Sequence, residues 1–215
     1  MKKYLCVVFI MFCLLTIVFN IINVSAFMPL SGKMIVIDPG HGGKDPGTSY
    51  GDILEKDINL QIALFLEREL SSSGATVILT REGDYDLSTA NAVWRKKSDF
   101  DNRIKTINNS NADLYLSIHL NYLDDARYFG AQVFYNKDNN DLAKIMQETL
   151  NSKLKSNRKE KGIPKNTYMY SKLKVPGLLI ECGFLSNYYE RELLKTTTYQ
   201  QKIASIIKEA IVDYY

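Results

Sequence analysis

The sequence is poor in cysteine, which excludes a fold held together by disulfides. Of its three cysteines, Cys6 and Cys13 lie within the first 26 residues, so Cys182 is alone in the rest of the chain. One thiol cannot close an internal disulfide, and stability must therefore come from a packed core. With 215 residues, of which 46% are apolar, the chain is long enough for one domain with such a core.

The sequence also lacks a strong net charge. Its formal charge of +3 includes Lys2 and Lys3, and the chain beyond residue 26 carries 25 basic and 24 acidic side chains. Proteins that bind nucleic acids usually have a strongly basic surface. The glycine motifs G-x-G-x-x-G and G-x-x-x-x-G-K-[ST] of nucleotide-binding loops are absent as well. We therefore expect no nucleic-acid partner and no nucleotide.

The first 26 residues have the features of an export signal. Lys2 and Lys3 precede an uncharged stretch whose apolar part, residues 5–19, is shorter than the roughly 20 residues that span a bilayer. Small residues at 24–26 suit a signal peptidase. We predict a signal peptide at 1–26 that is cleaved after Ala26, with an uncleaved membrane anchor at 5–24 as the alternative. In both cases the remaining chain is exported across the cytoplasmic membrane.

Short apolar runs alternate with segments of helical periodicity along the exported chain. The apolar runs predict strands at 34–38, 76–80, 113–119, 131–135 and 177–181. The helical spacing predicts helices at 57–70, after an N-cap at Ser98, at 142–154 and from Tyr199 to the end, and the polar residues 81–97 predict a loop. This alternation predicts an α/β fold, a single-domain sandwich of a mostly parallel sheet flanked by helices.

Three ionisable residues lie at or just past the ends of predicted strands. His41 follows the first strand, His119 ends the third and Glu181 ends the last. Ligands of parallel sheets bind at the carboxyl ends of the strands, so we expect these side chains to meet at that edge. His41 and His119 are also the only histidines in the sequence.

Two histidines at one sheet edge indicate a zinc site that a carboxylate or the Cys182 thiol would complete. Catalytic zinc takes three protein ligands and keeps a fourth position open. Glu55 is favoured by its position just ahead of a predicted helix, and Asp45 and Asp52 remain alternatives. The loop 38–47 (DPGHGGKDPG) contains four glycines, which allow its backbone to bend sharply and approach a ligand closely.

Four blocks of the sequence carry a family resemblance: DPGHGGKDPG at 38–47, EKDINL at 55–60, ADLYLSIH at 112–119 and ECGFLSN at 181–187. In this order they closely resemble the zinc-dependent N-acetylmuramoyl-L-alanine amidases of the amidase-3 type, with a catalytic domain expected at 33–215. By position, the resemblance implies zinc ligands at His41, Glu55 and His119 and a catalytic glutamate at Glu181. It also matches Arg103 to an arginine of the family.

The resemblance implies a peptidoglycan hydrolase that cleaves the amide bond between N-acetylmuramic acid and L-alanine of the stem peptide. The compact domain behind a short export segment is most similar to the sporulation branch, which acts in spore-cortex maturation on the way to muramic-δ-lactam. The location would then be the cell envelope, including the forespore intermembrane space. A growth-phase amidase for cell separation or autolysis and a non-catalytic peptidoglycan-binding module remain alternatives. A cysteine hydrolase using Cys182 is disfavoured, because neighbouring residues 181 and 182 of a strand point to opposite faces.

Other features bear on partners besides the peptidoglycan substrate. We hypothesise a membrane-tethered or wall-tethered regulatory partner, which would localise the enzyme and stabilise loops that carry zinc ligands. The polar segment 81–97 and the basic segment 153–165 are the candidate surfaces, although a solvated surface is the simpler interpretation of 153–165. Tyr122, Tyr128 and Tyr135 follow His119 and are expected in the core or at the surface, with stacking on sugars as the alternative.

Overall fold

The computed structural model describes residues 4, 7–16, 18, 28–136 and 139–215. Its strands are β1 (Met34–Pro39), β2 (Ser49–Tyr50), β3 (Ile53–Leu54), β4 (Thr76–Leu79), β5 (Leu114–Asn121), β6 (Gln132–Asn136), β7 (Lys161–Gly162) and β8 (Gly177–Phe184). Its helices are α1 (Glu55–Ser72), α2 (Arg95–Asn109), α3 (Asn140–Leu154), α4 (Tyr188–Leu194) and α5 (Thr197–Tyr214), with a 3-10 turn at Tyr170–Lys172.

Within the described residues, six strands form one sheet in the order β4-β1-β5-β8-β6-β7, and β2 and β3 form a separate hairpin. Strands β4, β1, β5 and β8 run parallel to one another. Strand β6 runs antiparallel to β8 and pairs in parallel with the short β7. The predicted α/β fold with a mostly parallel sheet is confirmed. Strand β6 is the reason why the sheet is mixed rather than fully parallel.

Both faces of the sheet are covered, which explains why its central strands are continuous apolar runs. Along β1, Ile35 and Ile37 belong to the larger core, and Val36 belongs to a smaller cluster on the opposite face. Helices α1, α3 and α5 supply the larger core, while α2 and the 3-10 turn cover the smaller cluster. This packing fixes the strands whose ends carry the candidate site.

Three helix boundaries differ from the predictions, at α2, α4 and α5. Helix α2 begins at Arg95 rather than after Ser98, and its N-cap Trp94 makes no side-chain capping hydrogen bond. The Ser98 hydroxyl instead accepts a hydrogen bond from the backbone of Thr89 in the preceding loop. Helix α4 was not predicted, since seven residues are too few to show a clear period. Its N-cap is Asn187, and α5 begins after the N-cap Thr196.

The predicted signal segment 1–26 lies largely outside the described residues, so its cleavage stays a prediction. Residues 7–16 are helical. Among the residues that the structure describes, no helix combines the length and the apolar character needed to cross a membrane.

Candidate metal centre

The structure brings His41, Glu55 and His119 together at the carboxyl edge of the sheet. His41 follows β1, Glu55 is the first residue of α1 and His119 lies in β5. The Oε1 atom of Glu55 lies 3.2 Å from Nε2 of His41 and 3.0 Å from Nδ1 of His119. One potential ligand atom from each residue lies within 4.8 Å of the others. This is a donor set of two imidazoles and one carboxylate, which suits a zinc ion.

Glu55, rather than Asp45 or Asp52, is the carboxylate in this cluster. Glu55 is buried, with 2% of the residue exposed, and its Oε2 atom accepts a hydrogen bond of 2.8 Å from the backbone of Thr48. Burial disfavours its charge, but hydrogen bonds from His119 and His41 outweigh burial and hold the pKa of Glu55 below its usual range. Asp52 is exposed on the preceding hairpin.

Asp45 contacts the opposite nitrogen of His41. Its Oδ2 atom lies 3.1 Å from Nδ1 of His41, so Nε2 is left to face Glu55. Burial lowers the pKa of His41, but the hydrogen bonds to Asp45 and Glu55 outweigh it and raise that pKa to about 9. A carboxylate on the outer nitrogen of a ligating histidine fixes the ring orientation and the tautomer.

The glycines of the loop 38–47 allow the site to close. A Cβ at Gly40 would lie 2.3–2.6 Å from ring atoms of His119. A Cβ at Gly47 would lie 2.6 Å from Glu55 and from His41. His41 itself has a φ of 63°, a conformation that residues other than glycine rarely adopt and that often marks a functional position.

Two buried arginines hold the backbone of this loop in place. Arg81 donates hydrogen bonds to the carbonyls of Pro39 and Gly40. Arg103 donates to the carbonyls of Pro39 and His41 and forms an ion pair of 2.6 Å with buried Asp38. The sequence pointed to Arg103 only through the family resemblance, and it missed Arg81 and Asp38. Arg81 could have been recognised as a candidate because it directly follows an apolar strand.

Glu181 lies beside the three clustered residues. In β8 it pairs with His119 of β5 on one side and with Gln132 of β6 on the other. Its Oε2 atom is buried and has no hydrogen-bond partner among the described residues. Burial raises the pKa of Glu181 to about 7, with the charge of His119 opposing this shift and that of Glu55 adding to it. The carboxylate is therefore able to exchange a proton near neutral pH.

Cys182 is fully buried on the other face of β8. Its Sγ atom lies 3.7 Å from the carbonyl oxygen of Ile180 within the apolar core. Burial raises the pKa of this thiol, so the reactive thiolate form is disfavoured. Neither a nucleophile nor a metal ligand is available at this position.

A cavity of about 170 Å³ opens beside His41 and His119. Phe100 of α2 and Tyr168 and Tyr170 of the segment before β8 form its far wall. Tyr168 is held there by a hydrogen bond of 2.7 Å from its hydroxyl to Asp101. The cavity provides room for part of a substrate next to the candidate metal ligands.

The tyrosines that follow His119 and the basic segment 153–165 are partly exposed and partly packed against the fold. Tyr122 and Tyr128 are exposed, whereas Tyr135 packs against the larger core. Within the basic segment 153–165, Lys153 pairs with Glu209, and the Arg158 guanidinium lies over the rings of Tyr128 and Phe184. Part of this segment's charge is therefore used within the fold.

Comparison with known proteins identifies relatives that match along nearly the whole described domain. The sequence profile of the N-acetylmuramoyl-L-alanine amidase family, Amidase_3, matches residues 35–213. The germination-specific N-acetylmuramoyl-L-alanine amidase of Bacillus subtilis is 42% identical over 194 residues, covering 87% of this chain and 82% of that protein. The amidase LytC of the same organism is 32% identical, but the match covers only 36% of its length.

Solved structures give the same result. The CwlD amidase from Clostridioides difficile, determined in complex with the GerS lipoprotein, superposes with a TM-score of 0.80 at 42% identity. The match covers 85% of this chain and 98% of that chain. An N-acetylmuramoyl-L-alanine amidase from Clostridium difficile 630 superposes with a TM-score of 0.74 at 31% identity, covering 85% and 96%.

Proposed function

The chain belongs to the N-acetylmuramoyl-L-alanine amidase family, and we propose that His41, Glu55, His119 and Glu181 carry out its reaction with the help of zinc. This reaction is hydrolysis of the amide bond between N-acetylmuramic acid and L-alanine in peptidoglycan. The observation that supports the residue roles is the convergence of the four side chains, from four separate segments, at one edge of the sheet. A binding module without activity would not require the fourth residue, the half-buried glutamate beside the cluster.

The residues present fit a zinc ion. Two imidazole nitrogens and one carboxylate oxygen are close enough to share one cation, and the glycines at 40 and 47 leave space for the rings that would hold it. The unpartnered Oε2 atom of Glu181 is a further polar group that needs a partner at this site. Bound zinc would polarise the amide carbonyl and make a hydroxide available near neutral pH.

Glu181 is the proposed proton carrier of the reaction. Its carboxylate accepts a proton from the attacking water and donates it to the nitrogen of the leaving L-alanine. The buried position of the carboxylate beside His119 places it next to the ligand cluster without making it a ligand. Asp45 keeps the His41 ring oriented through both steps.

We assign the protein to spore-cortex maturation within the family. The germination-specific relative matches this chain over 82% of its own length, so that protein consists mainly of the same catalytic domain. The match to the amidase LytC of the same organism covers only about a third of that protein. The location proposed with this role is the cell envelope outside the cytoplasmic membrane, reached through the export segment at 1–26.

A lipoprotein is the proposed partner class. The CwlD structure from Clostridioides difficile contains the GerS lipoprotein, and its amidase is 42% identical to this chain. A lipid-anchored partner would hold a small catalytic domain close to an insoluble polymer.

Digestion of purified peptidoglycan by the zinc-loaded protein tests the reaction. We expect new L-alanine amino termini and intact glycan strands, measured by mass spectrometry. New reducing sugar ends without new L-alanine amino termini would contradict the amidase assignment.

The metal site has a separate test in His41→Ala, Glu55→Ala and His119→Ala. Each variant should bind less zinc than the wild type, measured by metal analysis after dialysis. Full zinc retention by Glu55→Ala would move the carboxylate ligand to Asp45 or Asp52.

A further inference from the structure

A continuous row of exposed tyrosines lies beside the candidate metal centre. The Arg191 guanidinium lies 3.5 Å from the ring centre of Tyr50 and 5.6 Å from that of Tyr188. Tyr188 in turn contacts Tyr189 edge to face, with ring centres 5.4 Å apart. The exposed fractions of Tyr50, Tyr188 and Tyr189 are 48%, 62% and 79%. We call Tyr50, Arg191, Tyr188 and Tyr189 the tyrosine row.

The tyrosine row rests on a rigid base. Arg191 is buried and donates a hydrogen bond of 2.7 Å to the carbonyl of Leu185, so its guanidinium is fixed beneath Tyr50. Asn187 caps α4 and also donates to the carbonyl of Ala126. Buried Glu190 accepts hydrogen bonds from the backbones of Gly130 and Phe184. The backbone that carries the tyrosines is therefore ordered before a ligand binds, which reduces the entropy cost of binding.

One end of the row is connected to the metal centre through the β2–β3 hairpin. Tyr50 belongs to the β2–β3 hairpin, which leads directly into Glu55 at the start of α1. The hairpin is tied to that residue, because the backbone of Thr48 donates to Glu55 Oε2 and accepts from the Glu55 backbone. The row therefore extends outward from the side of the cluster that carries the carboxylate ligand.

We propose that the tyrosine row binds the glycan strand of peptidoglycan beyond the sugar whose amide bond is cleaved. This inference rests on the proposed function, since a polymeric substrate continues past the reacting residue on the enzyme surface. Exposed tyrosines offer flat apolar faces for pyranose rings and hydroxyl groups for the sugar hydroxyls. Spaced contacts along one strand raise the local substrate concentration at the site without changing the reacting groups.

The double variant Tyr188→Ala/Tyr189→Ala tests the proposal. On insoluble peptidoglycan, the substrate concentration for half-maximal rate should rise about tenfold, as expected when two aromatic contacts are lost. On a soluble disaccharide–tetrapeptide, which carries one N-acetylmuramic acid, kcat/KM should stay within about twofold of the wild type. Sedimentation with peptidoglycan should show the same loss of binding.

Two control variants separate ring stacking from general effects. Tyr214→Ala/Tyr215→Ala removes a second pair of adjacent tyrosines, with ring centres 5.0 Å apart. Tyr215 lies against Lys33, just before β1 and thus at the opposite edge of the sheet, so we expect no change on either substrate. Tyr188→Phe/Tyr189→Phe keeps both rings and should retain most of the binding to peptidoglycan.

The outcomes distinguish this inference from its premise. Equal losses on both substrates, or unchanged kinetics and sedimentation on peptidoglycan, would overturn the glycan proposal. Unchanged peptidoglycan binding together with loss of a protein partner would assign the row to that partner instead. A wild-type protein that sediments with peptidoglycan through the row but cleaves neither substrate would contradict the proposed function and leave the glycan site supported.

Discussion

Asp45 is expected to position His41 rather than to bind the metal. It contacts Nδ1 of His41, while Glu55 contacts Nε2. Asp45→Ala should weaken zinc binding about 10- to 100-fold, as is typical when the hydrogen bond to a ligating histidine is lost. A competition titration against a chelator measures the affinity independently of catalysis.

Asp52→Ala is the matched control for this substitution. Asp52 lies in the same stretch between His41 and Glu55 but is exposed. Its removal should leave the zinc affinity unchanged. A larger loss in Asp52→Ala than in Asp45→Ala would show that the ligand loop is arranged differently when zinc is bound.

Glu181→Gln separates proton transfer from metal binding. The substitution keeps the size of the side chain beside His119 but removes the group that accepts and donates a proton. We expect nearly normal zinc content and a loss of about 10²- to 10⁴-fold in kcat, the usual contribution of general acid–base catalysis. Steady-state rates on a soluble fragment, with zinc content measured on the same samples, provide the test. Wild-type rates would exclude Glu181 as the proton carrier.

At the scale of single residues, the sequence predicted the positions that close apolar strands and missed those that depend on long-range contacts. His41, His119 and Glu181 could be identified because an ionisable group at the end of a buried strand is unusual. The preference for Glu55 over Asp45 required the family resemblance. Asp45, Asp52 and Glu55 lie within one short stretch of the sequence, and only the folded backbone shows which of them turns inward.

The ion pair between Asp38 of β1 and Arg103 of α2 joins a central strand to the helix that covers one face of the sheet. Both side chains are buried, and Arg103 also pairs with Asp99 in its own helix. Asp38→Asn should lower the free energy of unfolding by about 3 kcal/mol, because it leaves a buried guanidinium with one charged partner instead of two. Denaturant unfolding at pH 7 measures this loss.

The same pair predicts a pH dependence. Burial raises the pKa of Asp38, but the Arg103 charge and hydrogen bonds from Thr80 and Arg103 outweigh burial and hold that pKa below its usual range. A carboxyl with a lowered pKa in the folded state stabilises the fold above its unfolded pKa of about 4, and this contribution is lost as the pH falls through the folded pKa. The stability difference between the wild type and Asp38→Asn should therefore shrink below about pH 4.

Asp125→Asn provides the matched control for the buried pair. Asp125 also pairs with an arginine, Arg127, at 2.7 Å, but both side chains are exposed. Exposed pairs of this kind contribute little to stability, so we expect no measurable change at pH 7. A comparable loss in both variants would contradict a special role for the buried pair.

At the scale of helices and strands, periodicity was sufficient for the long elements and insufficient for the short ones. The parallel strands and the helices α1, α3 and α5 follow from apolar runs and helical spacing. Helix α4 is too short to show a period, and α2 starts after Trp94, which makes no side-chain capping hydrogen bond that would mark the start in the sequence. The sequence of β6 also does not show whether the strand runs parallel or antiparallel to its neighbour, because side chains alternate in the same way in both cases.

At the scale of the whole molecule, the parallel sheet explains how residues far apart in sequence form one site. Strands β1, β5 and β8 are neighbours and run in the same direction, so their carboxyl ends present His41, His119 and Glu181 at one edge. Glu55 reaches the same edge because α1 begins there. The tyrosine row and the cavity beside His41 extend this edge into a surface suited to a polymer.

This arrangement also makes the zinc affinity depend on how well separate segments are held. The loop around His41 is joined to β5 by one backbone hydrogen bond, from Gly40 to Ile118, and contains the bridge between Gly42 and Asp45. Arg81 and Arg103 bind its carbonyls, and Asp45 binds the His41 ring. Metal affinity falls when ligands from different segments must be ordered on binding. A lipoprotein bound to the domain would order these segments and also keep the enzyme near its substrate.

We therefore predict that the purified chain alone binds zinc weakly and cleaves peptidoglycan slowly, and that both properties increase when a GerS-type lipoprotein is co-expressed with it. The coupling is reciprocal, since a partner that favours the zinc-bound form must itself bind that form more tightly. Chelator competition with and without the partner measures the first effect, and partner affinity with and without zinc measures the second. A chain that alone binds zinc tightly and digests peptidoglycan at its full rate would contradict this prediction. Tighter zinc binding without faster cleavage would limit the partner's role to the metal site.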